Sequence, residues 1–244
     1  EAAMDNKAYA LKELERWELA IEWFGKCFEI SDDLLNLSNK GWCYLQLGQE
    51  TVDIEIKKQY YADSMKIFDF IIERDENNYN AYINKSIIFF HLKVYDGCRN
   101  TLEKAIGINP SSAGSWSLFG DLENAVRKYD NALLFYNKSL EIEPSSVYNL
   151  NKKATVLNEL ERHDESLTCY DESIQLELTD FALTRAGIQL NILSKPTEAL
   201  DYFDQSLKIN PENTLTIGNK SHSLRLLKKY EEALDCINEL IKIE

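Results

Sequence analysis

Glycine and proline are scarce, at 9 and 4 in 244 residues. An all-β chain needs frequent turns, so this shortage points away from hairpins and toward helices. A surplus of positive charge is missing too. The 27 basic residues are outnumbered by 41 acidic ones, for a net charge of −14. Nucleic-acid binders need a basic face to displace counterions, and anionic membranes attract basic segments. Neither partner is expected. The most apolar stretches, such as residues 83–92, are too short and too interrupted to span a bilayer, and no secretory signal opens the chain. Glu1 stands where a methionine would, as expected of a segment excised from a longer protein. The five cysteines, Cys27, Cys43, Cys98, Cys169 and Cys236, are odd in number and form no CxxC pair. They read as free, partly buried thiols of a cytoplasmic protein.

Catalytic patterns are absent as well. His91, His163 and His222 lie far apart, with no HxxxH or HExxH spacing. There is no glycine-rich phosphate loop and no GxSxG elbow. Acidic pairs such as Asp32-Asp33 and Asp75-Glu76 read as solvated turn and capping residues. No enzymatic activity, cofactor or metal site is expected.

What the chain does have is a repeat. Pro110, Pro144 and Pro211 each close a similar phrase, and the first two are 34 residues apart. In that register, position 8 is Ala8, Gly41, Ser86, Gly120, Ala154, Gly187 and Ser221, all small. Position 20 is Ala20, Ser64, Cys98, Ala132, Ser166, Ala199 and Ala233, again all small. Position 24 is Phe24, Phe68, Leu102, Tyr136, Tyr170, Phe203 and Ile237, all large. Small residues at 8 and 20 let two helices cross closely, and the large residue at 24 fills the space beside the crossing. One such unit cannot bury its apolar face alone, so neighbours must stack.

These columns resemble the tetratricopeptide repeat family, most fully in one unit through Trp116, Gly120, Ala132, Tyr136 and Pro144. The resemblance covers seven units in one array: 1–33, 34–78, 79–112, 113–146, 147–179, 180–213 and 214–244. It implies an all-α, right-handed superhelical α-solenoid of helix–turn–helix repeats, with a concave groove lined mainly by the first helix of each unit. The second unit carries 11 extra residues between Gly48 and Ala62. Eleven residues are about three helical turns, so its second helix is expected to start early, near Val52 or Asp53. The insertion then either packs as a longer helix or projects as a lip beside the groove.

Two rows of asparagine mark the groove. Position 6 carries Asn6, Asn39, Asn84 and Asn219, and position 12 carries Asn124, Asn158 and Asn191. An amide offers a donor and an acceptor together. The resemblance implies that asparagines at position 6 grip the backbone of an extended peptide. A bridge between neighbouring helices is the competing role, and the two do not exclude each other. Tyr9, Lys12, Trp42 and Ile87 flank the amides and complete the expected peptide-binding set. The carboxylate clamp found in some members of the family is not expected, because position 5 is never Lys and position 9 is never Asn.

The leading reading is a non-catalytic scaffold that binds an extended peptide or protein segment in its groove. A second is the docking or regulatory region of a larger enzyme, such as a glycosyltransferase, with its catalytic domain outside this segment. A third is a homodimer through the last repeat, which has no polar capping helix after it in this sequence. Charge adds one preference. Residues 1–78 carry a net −8 and residues 147–244 a net −6, with zero between, so a basic partner segment is expected to engage an end.

Overall fold

The computed structural model describes residues 2–243, and among them every regular element is a helix. The chain forms two compact units, residues 1–115 and 116–244. The first contains α1 (Ala2–Glu13), α2 (Trp17–Ser31), α3 (Leu34–Glu50), α4 (Ile54–Arg74), α5 (Tyr79–His91) and α6 (Tyr95–Ile108). The second begins within α7 (Ala113–Ala125). It continues through α8 (Tyr129–Ile142), α9 (Val147–Glu159), α10 (His163–Leu176), α11 (Asp180–Ile192), α12 (Pro196–Ile209), α13 (Thr214–Leu226) and α14 (Tyr230–Ile243). Odd-numbered helices are the first, or A, helix of a pair and even-numbered ones the second, or B. Within each unit consecutive helices pack on one another, and A helices of adjacent pairs also touch, α3 with α5 and α11 with α13.

The three columns form the core. Every residue at positions 8 and 20 is buried, and at position 24 all but the half-buried Ile237 are buried. Glycine is required where the crossing is tightest. A Cβ on Gly120 or Gly187 would sit 2.6 Å from the ring of Tyr136 or Phe203, and one on Gly41 would sit 2.9 Å from Phe68. Serine at position 20 satisfies its hydroxyl inside the same crossing. Ser64 donates to the Gly41 carbonyl and Ser166 to the Ala154 carbonyl, each at 2.7 Å. A buried hydroxyl without such a partner would be costly.

Residues other than glycine make the turns. Glu15, Lys93, Arg127, Glu161, Ser194 and Lys228 share position 15 and all have left-handed backbone, φ from 56° to 61°. In each turn the left-handed N–H reaches back three residues and the next N–H reaches back five, as in Lys93 to Phe90 and Val94 to Phe89. This is the Schellman arrangement, which usually takes glycine at its left-handed residue. The B helices then open with Asp96, Asp130 or Asp164 in their first turn, where the helix dipole favours an acid. Side-chain caps start A helices, including Asp33 on Leu35 N–H and Ser146 on Asn149 N–H.

The insertion lengthens both helices of its pair. α3 has 17 residues and α4 has 21, against 13 and 14 in the pair that follows. The early start of the second helix is there, with Asp53 as its cap accepting from the N–H groups of Glu55 and Ile56. The four residues added to α3 were not foreseen. Within the longer pair Gly48 lets the ring of Tyr61 lie against the backbone, a crossing so close that a Cβ would stand 2.4 Å from it. Tyr60 is half-buried and lies 6.3 Å from Tyr44, while Val52 and Ile54 are 92% and 67% exposed. The insertion is thus packed at its base and bare at its tip.

All five cysteines are buried and free. Burial pushes the thiols of Cys43 and Cys98 up to about 12, so at neutral pH they are inert apolar groups.

Glycine substitutions should separate these roles. Gly120→Val forces atoms into the Tyr136 ring and should destabilise by about 1–3 kcal/mol. Gly218→Ala meets nothing within 4 Å in α13 and should stabilise by about 0.5–1 kcal/mol. Lys93→Gly removes left-handed strain and should be neutral to stabilising by about 1 kcal/mol. Urea unfolding of the three variants checks the signs.

Candidate functional site

The A helices of the first unit frame a groove of about 300 Å³. Lys12 from α1, Asn39 and Trp42 from α3, and Asn84 from α5 line it together. These are four of the residues that the repeat register singles out. Leu35, Ser38, Asn80 and Ile83 complete the lining. They occupy positions 2 and 5, one helical turn from positions 6 and 9, so all four rows share a face. No carboxylate lines this groove.

The amides in it are not equivalent. Asn39 is fully engaged. Its Nδ2 donates to the Tyr9 hydroxyl at 3.1 Å and to the Leu35 carbonyl at 2.9 Å, and its Oδ1 accepts from Lys12 Nζ at 3.0 Å. It ties α1 to α3. Lys12 then lies 5.0 Å from the Trp42 ring, and Trp42 meets Trp17 edge to face at 5.3 Å. Asn84 is half-buried in the lining. Tyr9 packs edge-on against Phe24 and presents its hydroxyl to Asn39. Asn6 is exposed on α1 and outside the lining, and Ile87 packs into the core between α3, α4 and α5.

The second unit has its own groove, of about 350 Å³, on α7, α9 and α11. Asn124 lines it, but the other asparagines of its row do not. Asn158 Oδ1 accepts from Gln189 Nε2 at 3.0 Å, and Asn191 Oδ1 accepts from Ser223 Oγ at 2.8 Å. Both are struts to the next A helix. Asn219 turns back on its own helix and donates to the Leu215 carbonyl at 2.8 Å. In their place the groove holds Tyr148, Asn151, Lys152, Thr155, Phe181 and Arg185. Lys152 and Arg185 stand at position 6, where four other repeats carry asparagine. The overlooked signal was position 2, where Tyr148 and Phe181 are large but not used by the core.

Asp121 organises this groove from below. Its oxygens accept from the Tyr136 and Tyr148 hydroxyls, each at 2.7 Å. Burial, reinforced by the neighbouring Asp121, pushes both phenols up, so they stay protonated donors. Among the described residues no three His, Cys, Asp or Glu side chains gather as a metal cluster. No described helix is long and apolar enough to cross a membrane.

The family model for the tetratricopeptide repeat matches residues 2–34. No curated protein matches the chain by sequence. Several solved structures share its fold. One is YrrB, described as a TPR protein with an unusual peptide-binding site, with a TM-score of 0.65 at 20% identity over 72% of this chain and 92% of YrrB. PilF of Pseudomonas aeruginosa gives 0.61 at 22% identity over 70% and 78%. MamA of Desulfovibrio magneticus RS-1 gives 0.60 at 15% identity over 72% and 93–94% of its chains. The first helix pair thus matches the tetratricopeptide repeat family by sequence, and the chain shares the fold of solved tetratricopeptide repeat structures.

Proposed function

We propose that the chain is a non-catalytic protein-interaction scaffold that grips an extended peptide in the groove of α1, α3 and α5. The observation that carries this is the meeting of Lys12, Asn39, Trp42 and Asn84 in one groove. Trp42 supplies rigid contact area at low entropy cost, and Asn84 supplies a paired donor and acceptor for a peptide backbone. Asn39 contributes by holding the wall in place. The peptide-binding site in the description of YrrB, which has the same fold, agrees with this reading. The buried free thiols fit a reducing compartment such as the cytoplasm. The net −8 of residues 1–78 favours a partner with basic residues outside the groove contact itself, where Lys12 stands.

The test starts from a peptide selected against the chain from a random display library. Asn84→Ala should weaken that peptide about fivefold to tenfold while leaving the melting temperature unchanged. Asn39→Ala should weaken it too, but should also lower stability by about 1–3 kcal/mol, because the Tyr9, Leu35 and Lys12 contacts go with it. Full affinity in both variants contradicts the groove.

One observation favours self-association as a second reading. α14 leaves Leu234 52% and Ile241 66% exposed, and Leu240 half-buried, a face that a second copy would cover. Sedimentation at rising concentration should then show a dimer that Ile241→Lys abolishes. Monomer throughout contradicts it.

A further inference from the structure

We infer that the groove of α7, α9 and α11 is a second peptide site, selective for an extended segment that carries an acidic side chain. The inference rests on the scaffold reading only in taking a peptide as the ligand. Its chemistry differs from that of the first groove.

The lining of this groove contains two cations, Lys152 and Arg185, and no carboxylate. They occupy position 6 of consecutive A helices. Arg185 forms no ion pair within the described residues. Its guanidinium lies 5.5 Å from the ring of Phe181, which leaves its N–H fork available for a planar, two-oxygen acceptor. Lys152 lies 5.1 Å from the Tyr148 ring and 3.9 Å from Asp121 Oδ1. That acid offsets one of the two cations while its oxygens also accept short hydrogen bonds from Tyr136 and Tyr148, so Arg185 is the charge left for a ligand. A locally positive groove in a chain of net charge −14 is the opposite of what the total charge suggests.

A second, independent feature points to a peptide rather than a free acid. Asn151 Oδ1 is buried and has no hydrogen-bond partner. Buried acceptors are nearly always satisfied, and an orphan beside two cations calls for a donor arriving with the ligand. A main-chain N–H next to an acidic residue brings both groups at once. Tyr148 and Phe181, 50% and 44% exposed, offer the flanking faces on which the rest of an extended segment would lie. Asn124 lines the same groove and adds a neutral amide.

The experiment uses the full chain and three pools of fluorescein-labelled decapeptides. Each pool has random flanks and one fixed central residue, Glu, Gln or Lys. Anisotropy titrations should rank Glu about tenfold tighter than Gln, with Lys weakest, and rising salt should narrow the gap. Arg185→Gln should bring the Glu and Gln pools to equal affinity, and Arg185→Lys should restore part of the difference. Asn84→Ala should leave the Glu preference intact, since it acts in the other groove. Equal binding of the Glu and Gln pools to the unaltered chain overturns this inference and leaves the scaffold reading standing. A Glu preference that survives Arg185→Gln places the acidic contact elsewhere and also overturns it. Failure of every pool to bind overturns both readings.

Discussion

The structure depends on the contact between the side chain at position 24 and the backbone at position 8. Opposite three of the aromatic rings, Phe68, Tyr136 and Phe203, the partner is glycine and the gap would not admit a Cβ without a shift, while Phe24 and Tyr170 face Ala8 and Ala154. This close approach sets the distance between the helices of a pair. The turns after the A helices are made without glycine, by charged and polar residues in left-handed conformation at position 15.

Because the pairs are alike, the same faces recur on every A helix. Positions 2, 5, 6, 9 and 12 fall on one side, and what they do depends on the neighbouring pair. An asparagine there can face the groove or reach the next helix. Asn39, Asn158 and Asn191 reach across, and each contact adds on the order of 1 kcal/mol between repeats. Asn84 and Asn124 face the grooves. Struts and ligand contacts are thus alternative uses of one geometry. The cations Lys152 and Arg185 are a third use, exchanging a neutral amide for charge.

Much of the fold could be read from spacing. The small and large columns and the early start of α4 follow from periodicity. The site was legible only by position. The register identifies which residues share the groove side, but not which are consumed by partners elsewhere in the chain. Asn39 meets Tyr9, 30 residues earlier, and Asn191 meets Ser223, 32 residues later. Such pairings are set by the stacking of repeats and leave no local trace. Lys152 and Arg185 carry no local signal of a role, because their surroundings, Asp121 and Tyr148 beside Lys152 and Phe181 beside Arg185, come from the fold.

The central claim is that the A-helix face of the first unit carries the ligand. Side-chain and backbone amide shifts, followed by nuclear magnetic resonance as a selected peptide is added, test it most directly. The account predicts that the largest changes fall on Ser38, Trp42, Asn80 and Asn84, residues of α3 and α5. Changes confined to the B helices α2, α4 and α6 would contradict it.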